Sequence, residues 1–140
     1  MKDIKQLLEL KRTYTTQKVQ YEENMKDMLS VVLDDISNKE KYKEAVTLFS
    51  TGRNKRYDIL LILLSIGLLS EYKKIPVKQN DILKVTNLDY RVTFAKYIEE
   101  LINAGLIIRK INKYDKVKKI LILTDQGKYI CSIFQKGKKC

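Results

Sequence analysis

Asp89-Tyr90-Arg91-Val92-Thr93-Phe94-Ala95-Lys96-Tyr97-Ile98-Glu99-Glu100-Leu101-Ile102-Asn103-Ala104-Gly105-Leu106-Ile107 reads as one capped amphipathic helix running into a strand. Asp89 is suited to an N-cap, and Phe94, Ile98, Leu101 and Ile102 recur at helical spacing. Gly105 then takes the left-handed C-cap at least cost. With Ile98 at the centre of a helical wheel, Phe94, Ala95, Leu101 and Ile102 fall within about 60° of it, while Asp89, Thr93, Lys96 and Glu100 lie opposite. One face packs, and the other is offered to something outside.

Downstream, Leu106 to Ile111 is β-branched, Asn112 to Lys116 is polar and turn-like, and Val117 to Leu123 is β-branched again. This predicts a hairpin with a lysine-rich tip. Leu123-Thr124-Asp125-Gln126-Gly127 follows, in which Thr124 can cap a last helix through Tyr129, Ile130, Ile133 and Phe134. Upstream, Asp58 to Ser70 reads as an apolar helix, and Ile75-Pro76-Val77 is extended, as a residue before proline prefers. Gln79 to Thr86 forms another helix with Ile82, Leu83 and Val85 inward, and Asn87 tolerates the left-handed turn into the opening stretch. A helix, a short turn and a longer helix are the parts of a helix-turn-helix.

Ala104-Gly105-Leu106-Ile107, followed at hairpin distance by Leu123-Thr-x-x-Gly127, resembles the winged helix-turn-helix transcription regulators, including MarR-like and PadR-like proteins. The nearest likeness is to small archaeal winged-helix regulators, in which an Asn-Leu-x-Tyr segment, here Asn87 to Tyr90, leads the recognition helix. The resemblance covers about Arg56 to Lys136 and implies a mainly α fold with a small β-hairpin wing, binding double-stranded DNA. In such a fold the exposed N-terminal part of the recognition helix enters the major groove, which makes Tyr90, Arg91, Thr93 and Lys96 the candidate readers. Arg91 projects nearer the packed face than the other three. Lys113, Lys116, Lys118 and Lys119 around the hairpin would hold the backbone, because lysine is a point charge rather than a bidentate reader.

The charge is distributed to match. The 140 residues carry a formal charge of +11, with 9 basic and 9 acidic residues in 1–52 against 19 and 8 in 53–140. The whole excess therefore lies in the winged part, where it suits a polyanionic partner. Arg53, Lys55 and Arg56 form a small basic junction at its start, as suited to solvating a helix end as to touching phosphate.

The chain has no histidine and two cysteines, Cys131 within an apolar helical pattern and Cys140 at the end. Two cysteines cannot supply the four ligands of a structural zinc site. Without histidine or a glycine-rich phosphate loop, an enzyme would need a shielded carboxylate or lysine cluster, and none stands out. The expectation is a binding protein without cofactor or metal. No signal-peptide pattern opens the chain, and the most apolar run, Ile59 to Leu69, is too short to span a bilayer. A soluble, cytoplasmic protein without membrane contact is expected.

Residues 1–52 form a separate helical region in this reading, ahead of a DNA-binding domain over 53–140. From Val19 onward Tyr21, Met25, Met28, Leu29, Val32 and Ile36 recur at steps of three and four. Ser37-Asn38-Lys39-Glu40 has the form of a capping box opening a further helix, which would bury Tyr42, Ala45, Val46 and Phe49 and end at Gly52. These helices either fold back on the winged part or pair with a second copy. Met25, Leu29, Val32 and Ile36 are the expected seam of a homodimer, an arrangement common among regulators of the resembled kind. The function expected is that of a sequence-specific DNA-binding transcription regulator. A component of a plasmid or viral replication or partition complex, or a winged helix used for protein contacts, are the alternatives.

Overall fold

A helix made from a run such as Ile59 to Leu69 has almost no polar side and is stable only when surrounded. The computed structural model, which describes residues 8, 14–72, 76–88, 91–112 and 115–134, surrounds it. The elements in order are α1 (Tyr14–Ile36), a 3-10 turn (Glu40–Tyr42), α2 (Lys43–Ser50), α3 (Lys55–Tyr72), α4 (Gln79–Thr86), α5 (Arg91–Asn103), β1 (Ile107–Asn112), β2 (Asp115–Leu123) and α6 (Asp125–Ile133). Helix α3 packs against α1, α2, α4, α5, α6 and β2. Ile59 to Leu64 and Ile66 have no exposed surface, and Ser65 satisfies its hydroxyl on the Leu61 carbonyl at 2.7 Å. Among the described residues no helix is long and apolar enough to cross a membrane.

Gly67 shows how closely α3 is covered. A Cβ there would sit 2.9 Å from the Cys131 sulfur, so α6 approaches α3 at a distance only glycine permits. Cys131 is a small buried hydrophobe, as its pattern predicted, with a weak thiol contact to the Leu63 carbonyl at 3.7 Å. Burial pushes that thiol up to about 12, which keeps it protonated at neutral pH.

On α1, Met25, Val32 and Ile36 are fully buried and Leu29 is 3% exposed, all within a single chain. The homodimer seam expected at these four positions is therefore corrected: it is filled from inside, by α1 and α2 lying against α3. The cause is α3 itself, whose apolar surface extends all round and needs a cover that the winged part alone does not supply. One hydrophobic cluster consequently runs from α1 to α6 across position 52, where the charge changes. At the end of α1 the Tyr129 hydroxyl bonds Asp35 at 2.5 Å, and the Tyr129 ring lies 5.6 Å from that of Tyr42, which ties α6 to the N-terminal helices.

The expected capping box does not form. Ser37 turns both its amide and its hydroxyl back to the Leu33 carbonyl and so closes α1. The chain then enters α2 through the 3-10 turn after Lys39, with no side-chain cap. A serine after a helix finds an orphan carbonyl nearby, and here that local bond takes precedence. Tyr42, Ala45 and Phe49 are buried as expected, joined by Leu48, while Val46 is half-buried.

The hairpin is antiparallel, with Ile107 opposite Leu123 and Ile111 opposite Lys119. Its strands reach closer to the tip than predicted, since Asn112 and Asp115 still pair after an irregularity at Ile111/Asn112. On its other side β2 meets the extended segment after Pro76: the Leu121 amide donates to the Val77 carbonyl at 2.9 Å, and Lys78 bridges to Ile120.

Candidate nucleic-acid interface

The approach to α5 is set by two residues. Thr86, fully buried, returns its hydroxyl to the Ile82 carbonyl at 2.7 Å, which fixes the last turn of α4. Asn87 then adopts φ 54° and ψ 39°, the left-handed turn its side chain predicted. From there α5 packs Phe94, Ile98 and Leu101 into the core, with Ala95 and Ile102 half-buried beside them.

The far end of α5 is locked more tightly. Gly105 has φ +78°, its amide donates to the Ile102 carbonyl at 3.0 Å, and the Leu106 amide to the Leu101 carbonyl at 3.1 Å. This is the double closure that a left-handed glycine allows after a helix. The Thr124 hydroxyl donates to the Gly105 carbonyl at 2.6 Å while accepting the Gly127 amide at 3.1 Å, so one side chain ends the turn after α5 and starts α6. A Cβ on Gly127 would lie 2.1 Å from the Leu106 carbonyl oxygen. The two motifs that stood out in the sequence, Gly-Leu-Ile and Leu-Thr-x-x-Gly, are the two halves of this one joint.

The outward strip of α5 consists of Val92, Lys96, Glu99 and Asn103 at helical spacing, with Thr93 beside it, and all five are exposed. Thr93 and Lys96 thus stand where the sequence placed them. Tyr90 and Lys113 fall outside the described residues. Arg91 opens α5, and Lys116 and Lys118 lie on β2, each placed by its backbone. Lys119 is exposed on β2 opposite Ile111. At the junction Arg53 is exposed, Arg56 is half-buried with its guanidinium 5.3 Å from the Tyr57 ring, and Lys55 forms an ion pair with Glu100 at 2.5 Å.

That pair changes the electrostatics of the face. Glu99 and Glu100 are the two carboxylates of α5 and would repel phosphate, yet Arg109 of β1 holds Glu99 at 2.7 Å and Lys55 of α3 holds Glu100. Both stand one turn after Lys96, at i+3 and i+4, and each is engaged by a cation from another element, which offsets the negative charge they place beside that lysine. Glu100 was expected on the solvent side and is half-buried for this reason. Lys43 and Thr47 of α2, with Thr51 just after it, face Glu100, Asn103 and Ala104 across an open cleft of about 570 Å³.

Val92 escaped the sequence reading. At 85% exposure it is the most exposed large hydrophobic residue among those described. The wheel carries the signal, since Val92 falls on the side away from the core.

No family model and no curated protein matches the chain. Solved structures do resemble it. The MepR–DNA complex from S. aureus superposes with a TM-score of 0.51 at 18% identity, covering 90% of this chain and 86% of that one. A MepR mutant from a multidrug-resistant S. aureus clinical isolate gives 0.50 at 19% identity, over 91% and 78%. The likeness runs through the N-terminal helices as well as the wing, and the fold is a winged helix-turn-helix.

Proposed function

We propose that the chain is a sequence-specific double-stranded DNA-binding regulator of transcription, with α5 in the major groove and the hairpin along the backbone. The observation that carries this reading is the strip at the start of α5. It is uncovered, is set on a left-handed turn between two helices, and belongs to the half of the chain that holds the whole charge of +11. The carboxylates that would oppose phosphate are already paired within the chain. Base edges in the major groove are read by side chains on such a strip, while lysines on a wing fix register on the phosphates. The MepR structure that resembles the chain is a DNA complex, which supports the same reading.

Two copies would present two such helices and read an inverted repeat with half-sites about one helical turn apart. Their contact surface then excludes Met25, Leu29, Val32 and Ile36. The test is selection of bound sites from random duplexes, followed by affinity across a salt series. A regulator enriches one motif, and log affinity falls by roughly 0.9 per phosphate neutralised for each log unit of salt. A flat salt response with no enriched motif would overturn the proposal.

A further inference from the structure

The outward strip of α5 begins with an apolar side chain. Val92 stands one helical turn before Lys96 on the strip opposite Ile98, with Thr93 beside it, and it touches little of its own chain. Nothing in the fold accounts for it. Valine is a weaker helix former than alanine because its branch restricts χ1, so an exposed valine in a helix brings neither packing nor propensity. A solvated helix face needs only polar residues, and the neighbours Thr93, Lys96, Glu99 and Asn103 are polar.

In the major groove one base edge carries an apolar group, the 5-methyl of a pyrimidine, found on thymine and on methylated cytosine. Resting on the reading of α5 as the groove-entering helix, we propose that Val92 is a specificity-determining residue that packs against a pyrimidine 5-methyl group. The position supports this in two further ways. Val92 lies in the first turn of α5, the part of such a helix that reaches base edges. Lys96, at i+4 on the same strip, can bond a base edge or a phosphate nearby, so one strip offers a methyl contact and a donor side by side. Thr93 adds a second methyl and a hydroxyl about 100° round the helix.

The experiment uses the full chain and a duplex motif selected from unmodified random DNA. Each thymine in the motif is replaced in turn by deoxyuridine, which lacks only the methyl, and a parallel series carries 5-methylcytosine at each cytosine. Removing the contacted methyl should weaken wild-type binding about fourfold, the factor expected for burying one such group. In Val92→Ser, which alters an exposed side chain and should melt like the wild type, the same replacement should have no effect. Tighter binding to methylated cytosine, lost in Val92→Ser, assigns the methyl to that base rather than to thymine.

Insensitivity of the wild type to every replacement, with a motif still selected, overturns the role of Val92 and leaves the DNA reading intact. A uridine effect that persists in Val92→Ser moves the contact to another residue and overturns it too. Failure to select any motif overturns both.

Discussion

Two helices of this chain carry stripes of comparable regularity and opposite fate. On α1, Met25, Leu29, Val32 and Ile36 are closed in by α3 and contribute to one core. On α5, Val92, Thr93 and Lys96 touch solvent. Periodicity states that a face will be covered without naming what covers it, because apolar burial is non-directional and a neighbour in the chain serves as well as a second copy. A face with no apolar period leaves its residues open to choice by something other than folding. The α1 stripe is thus the part of the surface that stability dictates, and the α5 strip the part that binding can dictate.

The sharpest way to break the contrast is Val32→Glu. An unpaired carboxylate with no exposure should cost more than about 4 kcal/mol and unfold the chain at room temperature, as read by helical circular dichroism. A variant that instead stays folded and merely changes its sedimentation would return this stripe to an interface between copies.

Gly127→Ala comes next. Its methyl would meet the Leu106 carbonyl oxygen at 2.1 Å, a backbone atom already engaged by the Thr124 amide at 3.0 Å. A loss of roughly 3 kcal/mol in urea unfolding is expected. An unchanged midpoint would mean that the joint below the wing is slack.

Gly67→Ala should cost about 1–3 kcal/mol, because the new methyl meets a side-chain sulfur at 2.9 Å rather than backbone. Adding Cys131→Ala removes that sulfur and should recover much of the loss. Strict additivity in the double mutant would show that the two residues do not press on one another.

The smallest stability effect belongs to the outward strip. Lys96→Ala should melt within about 0.5 kcal/mol of the wild type. Its effect should appear in duplex affinity, and if the contact is to phosphate, as a salt slope shallower by about one. A large drop in stability would show that Lys96 supports the fold and weaken the division drawn above.

What the sequence disclosed depended on how local the chemistry was. Thr124 as an N-cap, Asn87 as a left-handed turn, Gly105 as a helix stop and the buried run of α3 all follow from a few neighbouring residues, and each was legible. Ser37 was misread because a cap and a helix end offer a serine the same reward, a backbone partner within reach, and position alone does not rank them. The partner of the α1 stripe was out of reach, since it depends on how α3 is covered from the far side. Lys55 reads locally as a charge that solvates a helix start or touches phosphate, and its partner Glu100 lies 45 residues away, beyond the reach of local pattern. In the candidate interface Thr93, Lys96 and Val92 are all legible on the wheel, the first two as polar outward positions and the third as an apolar one that the core pattern leaves out.

The joint that Thr124 makes with Gly105 has a further consequence. It brings residues 19 apart in sequence to 2.6 Å, so the wing leaves and re-enters the domain through one doorway. The base of the hairpin is built into the domain, through Ile107 and Leu121 in the core, the Leu121 amide on Val77 and Arg109 on Glu99. Only the part beyond these contacts can change length without altering the geometry at the joint. For a flexible loop, doubling the length costs only about 0.6 kcal/mol of closure entropy. The outer part of the wing is therefore the adjustable part: a tip of different reach or charge would change how far the protein extends along a partner, while the base of the hairpin and α5 keep their seat.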